Sequence, residues 1–393
     1  MASEEGSALT LGQVRICVDT GRIVEETAGI DVQPIVETLH QQPDLGNLLA
    51  SIHDSPGGLL DWPTPSVLPT PLRCQHGRAV DVGQEVAVIP LDETYEGTFP
   101  FAPHTFDGCG FVQHYVDEGP RDAEPLLLLH GEPTWGYLYR HMIGPLSENH
   151  RVVVPDHMGF GKSETPQDRE YTLQTHTENL VALAEHLDLT DITFFGQDWG
   201  GPIATAFTVR HPERVKRLVY ANSLAGYGRI ADEYATPIAQ SRWFTWIGDG
   251  LESGRTADVL LNLGSTVLSV MKITGFTNSA AVDDTWIRAY SDPFPDRASA
   301  IGGLEFPLDA YLGRIGEYVL AGAEGVPDLV SKPAILLEGM EDGAIPPDRA
   351  IADFQALWPD APVVELPGVG HYCQEDAPDA LVAHVKDFLQ ANP

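Results

Sequence analysis

From about residue 90 onward, short apolar runs alternate with longer amphipathic stretches. Residues 111–119, 125–131, 151–156, 191–197, 217–223, 333–340 and 361–368 are rich in Val, Leu, Ile and Phe, and most end in or beside Gly, Pro, Asp or Asn. Runs of that length and composition predict buried strands. The stretch "LQTHTENLVALAEHLDL" instead repeats its apolar positions at i, i+3 and i+4, which predicts a helix. Strands alternating with helices predict a mostly parallel, doubly wound α/β sheet. The rhythm breaks after Ser223, and about 110 residues pass before the next strand begins at Pro333. Structureless loops of that length are uncommon inside compact domains, so the gap predicts an inserted helical cap. We place the cap at 224–305 and the core at 86–223 and 306–393.

Residues 1–85 follow a different pattern. Val32, Ile35, Val36 and Leu39, then Leu45, Leu48, Leu49 and Ile52, fall at helical spacing. Pro56, Pro63, Pro65, Pro69 and Pro71 follow and favour an extended linker. The expectation is an appended helical unit or a loosely ordered tail, with no chemistry of its own.

Four motifs fall at the carboxyl ends of predicted strands, where open α/β sheets bind ligands. In "FFGQDWGG", Gly196-Gln197-Asp198-Trp199-Gly200 has the Gly-x-Ser-x-Gly frame of a nucleophile elbow, with aspartate in place of serine. Such an aspartate could equally be a helix N-cap. In "LLHGEPTWGYLYR", the backbone N–H of Glu132 could pair with that of Trp199 as an oxyanion hole. "LLEGMEDGAIP" offers Asp342 and its neighbour Glu341 as an acid, and "LPGVGHYCQED" offers His371 as a base. The chain order of nucleophile, acid and histidine is that of α/β-hydrolases.

The aspartate has a chemical reason. A serine that attacks saturated carbon ends as an ether, which water does not reopen. A carboxylate ends as an ester whose carbonyl belongs to the enzyme, and water can hydrolyse it. Asp198 therefore predicts displacement at an sp³ carbon, then hydrolysis by water that His371 activates and Asp342 orients. A halide leaving group needs no proton, only desolvation and N–H donors, and the indole of Trp199 has a donor and no acceptor.

"LLHGEPTWGYLYRHMI", "VVVPDHMGFGKSETP", "FGQDWGGP", "AYSDPFPD" and "GHYCQED" together resemble the haloalkane dehalogenases of the α/β-hydrolase superfamily, over about residues 95–393. The resemblance implies Asp198 as nucleophile, His371 as base and Asp342 as triad acid. It also implies halide binding by Trp199 and a second residue. Glu132 stands where one branch of the family has an asparagine, so the chain resembles the two-tryptophan branch. The "FTW" context points to Trp246 as the second tryptophan, with Trp243 as runner-up and Trp286 as ordinary packing. The rival acid position holds Asn222, which cannot serve. The implied reaction takes a small haloalkane and water to an alcohol and halide, with no cofactor and no metal. Two alternatives stay open. An epoxide hydrolase would share the Asp-His-Asp chemistry but would need cap tyrosines, for which Tyr227, Tyr234 and Tyr290 are available. A non-catalytic binding protein on the same scaffold would be expected to have lost a triad member.

Charge adds a further expectation. The chain has 23 Lys and Arg against 57 Asp and Glu, a net charge of −34, and its lysines are Lys162, Lys216, Lys272, Lys332 and Lys386 alone. That field repels nucleic acid and anionic membrane, so neither is an expected partner. Molar salt shortens the Debye length to about 3 Å and relieves the self-repulsion, which suggests a halophilic host. Cys17, Cys74, Cys109 and Cys373 lack metal-binding spacing and read as free thiols in a reducing cytoplasm. The N-terminus shows no basic, apolar signal-peptide pattern, and cytoplasmic localisation is the expectation.

Overall fold

The apolar runs become the strands of one eight-stranded sheet. The computed structural model describes residues 89–227 and 241–393, together with the backbone of three strands near the N-terminus. Those three are β1 (Ser7–Leu11), β2 (Val14–Asp19) and β3 (Arg22–Val24), paired antiparallel in the order β1-β2-β3. They correct the reading of the extension as helix or tail over 7–24. The overlooked signal was period-two alternation, as in "VRICV". The helical spacing at 31–54 lies outside the described residues.

The main sheet contains β4 (Pro103–Phe106), β5 (Gln113–Glu118), β6 (Pro125–Leu129), β7 (Arg151–Pro155), β8 (Ile192–Gln197), β9 (Val215–Ala221), β10 (Ala334–Gly339) and β11 (Val363–Leu366). Their order is β11-β10-β9-β8-β6-β7-β5-β4. All neighbours from β7 through β11 pair parallel, while β5 and β4 are added antiparallel at one edge. All seven predicted runs are strands. β4 was not predicted; it begins with a proline, which an edge strand tolerates because its N–H need not join a ladder.

Burial explains the centre of the sheet. Leu126, Leu127, Leu128 and Leu129 are each 0% exposed on β6. A strand covered on both faces reads as an unbroken apolar run, and each such side chain contributes about 1.5–3 kcal/mol by burial. β7 lies on one side of β6 and β8 on the other. The chain order therefore reverses between β6 and β8, and a crevice opens at their carboxyl ends. Glu132 follows β6 and Asp198 follows β8, so this reversal brings them together.

The helices follow from caps and faces. α1 (Arg140–Ser147) follows β6, and α2 (Leu173–His186) begins where Thr172 Oγ1 accepts from Thr175 N at 3.2 Å. On α2, Leu173, His176, Thr177, Leu180, Leu183 and Ala184 form the buried face. α3 (Gly200–Thr208) starts directly behind Asp198. After β9 come α4 (Arg242–Leu251), α5 (Arg255–Leu260), α6 (Leu263–Thr274), α7 (Asp284–Ser291), α8 (Ile301–Tyr311), α9 (Ile315–Ala321) and α10 (Val326–Val330). The described part of the long gap is therefore helical. α8 runs through the expected boundary at 305/306 without a break. The chain closes with α11 (Pro347–Leu357), α12 (Cys373–Asp376) and α13 (Pro378–Ala391).

Candidate active site

Asp198 sits at a sharp turn between β8 and α3, with φ at +50°. Left-handed backbone is rare outside glycine, and such outliers cluster at functional sites. The turn is held by Asp198 N donating to Asn222 O at 3.2 Å and by Ser223 Oγ donating to Asp198 O at 2.5 Å. The surrounding glycines have a steric reason. A Cβ at Gly131 would run into the Asp198 carboxylate, and one at Gly200 would strike the backbone of Leu129.

The carboxylate has two differently placed oxygens. Oδ1 accepts from the Glu132 N–H at 2.8 Å. Oδ2 lies 3.2 Å from His371 Nε2. The loop carrying Glu132 is fixed by His130. Its Nε2 accepts from His157 N at 3.0 Å, so Nδ1 carries the hydrogen and donates to Gly131 O at 3.1 Å. Trp199, the second expected oxyanion donor, stands at the start of α3, and its N–H makes no hydrogen bond to Asp198.

His371 Nδ1 is 2.8 Å from Asp342 Oδ2. Asp342 is held from three sides: Ala344 N and Ile345 N donate to Oδ1 at 2.7 and 2.9 Å, and Asn222 Nδ2 donates to Oδ2 at 2.9 Å. Glu341 points to solvent and is not part of the cluster. The His371 loop is anchored by Gln197 Nε2 donating to His371 O at 3.0 Å. Asn222, set aside as the acid, thus orients the acid. This role was invisible in sequence because it depends on β9 lying beside β10.

Burial alone would lower the pKa of His371. The Asp342 charge, the hydrogen bonds to both carboxylates and the Asp198 charge outweigh it and push the imidazole up to about 10. Glu132 moves the other way for a carboxyl. Burial first, then the Asp198 charge, lift it well above the usual carboxylate range, against a smaller opposing influence of His371.

A pocket partly open to solvent lies over Asp198, Trp199, Glu132 and His371. Its other walls are largely apolar and include Leu224, Trp243, Phe244, Val270 and Ile345. The cap tryptophans divide differently from the expectation. Trp243 lines the pocket, whereas Trp246 is stacked behind it, ring centroids 5.3 Å apart. One turn of helix separates them, and Trp243 is on the inner face of α4. Trp286 packs on Phe276 and does not line the pocket. Phe306 of α8 was missed: it stacks on the Trp199 indole at 4.8 Å, nearly parallel, and fixes that ring's plane. No cluster of three or more His, Cys, Asp or Glu among the described residues is placed to hold a metal ion. Cys109 and Cys373 are free, and the side chains of Cys17 and Cys74 lie outside the described residues. No helix among the described residues is long and apolar enough to cross a membrane.

Two cap contacts complete the site. Trp135 Nε1 donates to Ala289 O at 2.7 Å. Tyr290 Oη donates to Glu375 Oε1 at 2.6 Å, and Arg140 clasps both Glu375 oxygens at 2.5 and 2.9 Å. These contacts tie α7 to the loop that carries Glu132 and to α12, which begins directly after His371 and Tyr372.

An elbow carboxylate, a backbone donor from the neighbouring loop and an Asp-supported histidine meet at the carboxyl ends of a mostly parallel sheet. The chain belongs to the alpha/beta hydrolase fold family, whose model matches residues 124–378. Among its relatives, haloalkane dehalogenase 2 of Mycobacterium tuberculosis is 32% identical over 73% of this chain and 94% of its own length. A cis-3-alkyl-4-alkyloxetan-2-one decarboxylase of Xanthomonas campestris is 31% identical over 76% of this chain and 99% of its own length. Among solved structures, the haloalkane dehalogenase DpaA of Paraglaciecola agarilytica superposes with a TM-score of 0.57 at 28% identity, over 76% of this chain and 94% of that one.

Proposed function

We propose that the protein is a hydrolytic haloalkane dehalogenase that works through an alkyl ester on Asp198. The observation that carries this reading is the split carboxylate: Oδ1 on the Glu132 N–H and Oδ2 beside His371, under a largely apolar pocket. Oδ2 attacks the halogen-bearing carbon and the halide leaves with the bonding pair. The ester carbonyl oxygen is then Oδ1, already on the donor that stabilises it when water attacks. His371 takes a proton of that water, Asp342 supports the resulting imidazolium, and the acyl–oxygen bond breaks to release the alcohol with the water's second proton and restore the Asp198 carboxylate.

The leaving halide gathers charge in the transition state, so N–H donors matter most there. Trp199 and Trp243 are the tryptophans of the pocket lining. Halide release from 1-bromobutane in high salt tests the function directly, and no release from the wild type would end it. Trp199→Phe deletes an N–H while keeping ring bulk, and should cost about 3 kcal/mol, or on the order of a hundredfold in rate. Trp243→Phe should do the same, and Trp246→Phe much less. The reverse order would return the donor role to Trp246.

The epoxide alternative in its tyrosine form finds no support in the pocket lining. Tyr290 is committed to Glu375, Tyr227 is not a lining residue, and Tyr234 lies outside the described residues. A second reading is favoured by the Xanthomonas relative, which matches over nearly its whole length. Oxetan-2-one is a four-membered lactone. Asp198 could attack the ring carbon bearing the ring oxygen and release a carboxylate, which then loses CO2 while its electrons form an alkene and expel Asp198. No water enters that route, so alkene formation that survives His371→Ala, without halide release from any haloalkane, would favour it.

The salt expectation belongs with the host environment. With −34 net charge the melting temperature should rise steeply between low and molar KCl, as screening removes self-repulsion. A flat dependence across that range would refute a halophilic origin and leave the chemistry untouched.

A further inference from the structure

Halide expulsion needs no proton, yet a buried carboxyl side chain lines the pocket. Glu132 is 6% exposed and lines the pocket beside Asp198 and His371. Its side chain rises from the loop after β6 toward the cap. Oε1 lies near Gly303 of α8, where a Cβ would stand 3.7 Å from it, in ordinary van der Waals contact. Oε1 has no hydrogen-bond partner, and no Lys or Arg among the described residues pairs with the carboxyl. The titratable groups facing it are Asp198 after β8, and His371 and Tyr372 after β11; Tyr372 Oη donates to Glu132 O at 3.2 Å.

Burial and the Asp198 charge both disfavour ionisation of the Glu132 carboxyl. Esterification of Asp198 removes the charge that suppresses ionisation of Glu132. Glu132 therefore becomes a stronger acid at the moment the nucleophile is consumed. A carboxyl biased toward its protonated form beside the attacking carboxylate suits an acid and nucleophile pair.

We propose that this site also opens epoxides, with Glu132 as the general acid. The inference rests on Asp198 being the nucleophile, as in the dehalogenase reading. Asp198 Oδ2 bonds to a ring carbon, the carbon–oxygen bond breaks, and the ring oxygen takes its electron pair and the Glu132 proton. The products are a 2-hydroxyalkyl ester on Asp198 and a Glu132 carboxylate. His371 then removes one proton from water as the oxygen attacks the ester carbonyl; the acyl–oxygen bond breaks, the departing diol oxygen takes the water's second proton, and Asp198 remains as carboxylate. The imidazolium proton returns to Glu132. The sum is epoxide plus water giving a vicinal diol, with both carboxyls restored.

The test uses the full chain with two substrates in parallel: 1-bromobutane, read as bromide release, and styrene oxide, read as diol. The wild type is expected to give both products. General acids contribute about 10²–10⁴-fold. Glu132→Gln keeps the side-chain size but has no proton to transfer, so the diol-to-bromide ratio should fall on the order of a hundredfold. Glu132→Asp, an acid one methylene shorter, should recover part of that ratio. Because both rates come from one preparation, partial misfolding cancels in the ratio. Bromide without diol from the wild type overturns the inference and leaves the dehalogenase reading standing. An unchanged ratio in Glu132→Gln overturns it as well. Neither product from the wild type removes both.

Discussion

Asp198→Ala should yield a folded protein that releases no halide. The side chain makes one backbone hydrogen bond, to Glu132 N, and one contact with His371, and it is not part of the apolar core. Its loss removes the atom that must bond to carbon, and neither the pocket nor the histidine replaces that bond. The rate should fall by on the order of 10⁴-fold or more, the scale of nucleophile deletions in other hydrolases. Near-native melting together with absent turnover is the expected pair of results. Halide release by freshly prepared Asp198→Ala at the wild-type rate would falsify the covalent mechanism.

The second large effect separates the two chemical steps. His371→Ala should still form the ester but fail to hydrolyse it, because displacement needs only Asp198 and halide stabilisation. Exposure to 1-bromobutane should add one butyl group to the peptide containing "FFGQDWGG", readable by mass. An unmodified peptide after a long incubation argues against this division of labour. The electrostatics give the wild type a related signature. In the free protein, Asp198 contributes a hydrogen bond and a charge that help hold His371 at about 10. Alkylation removes that charge, so the imidazole becomes less basic and a larger share of it is neutral and able to act as base. When hydrolysis limits the rate, turnover should rise with pH and level off well below pH 10.

Much of this site was legible in the chain, for physical reasons. Asp198, Glu132, Asp342 and His371 all lie at carboxyl ends of strands, and the strands announce themselves as apolar runs. Local signals therefore located groups that only the fold brings together. Trp243 and Trp246 show the limit. Both belong to α4, and which faces inward depends on how that helix is rolled over the pocket. Phe306 and Asn222 escaped for a similar reason: each acts across an element boundary that no local pattern marks. The N-terminal strands were missed because helical spacing further along coloured the reading of the whole extension.

The clamps on α7 have a consequence for how such a protein can change. Trp135 binds α7 from the loop that holds Glu132, and Glu375 binds it from α12, just after His371. That side of the cap cannot be remodelled without disturbing the reaction. α4 supplies Trp243 and Phe244 to the pocket wall, and neither clamp reaches it. Drift or engineering in α4 can therefore alter which molecules fit while sparing what is done to them. A library confined to residues 242–251 should change substrate preference far more often than it destroys turnover, and one confined to 284–291 should do the opposite.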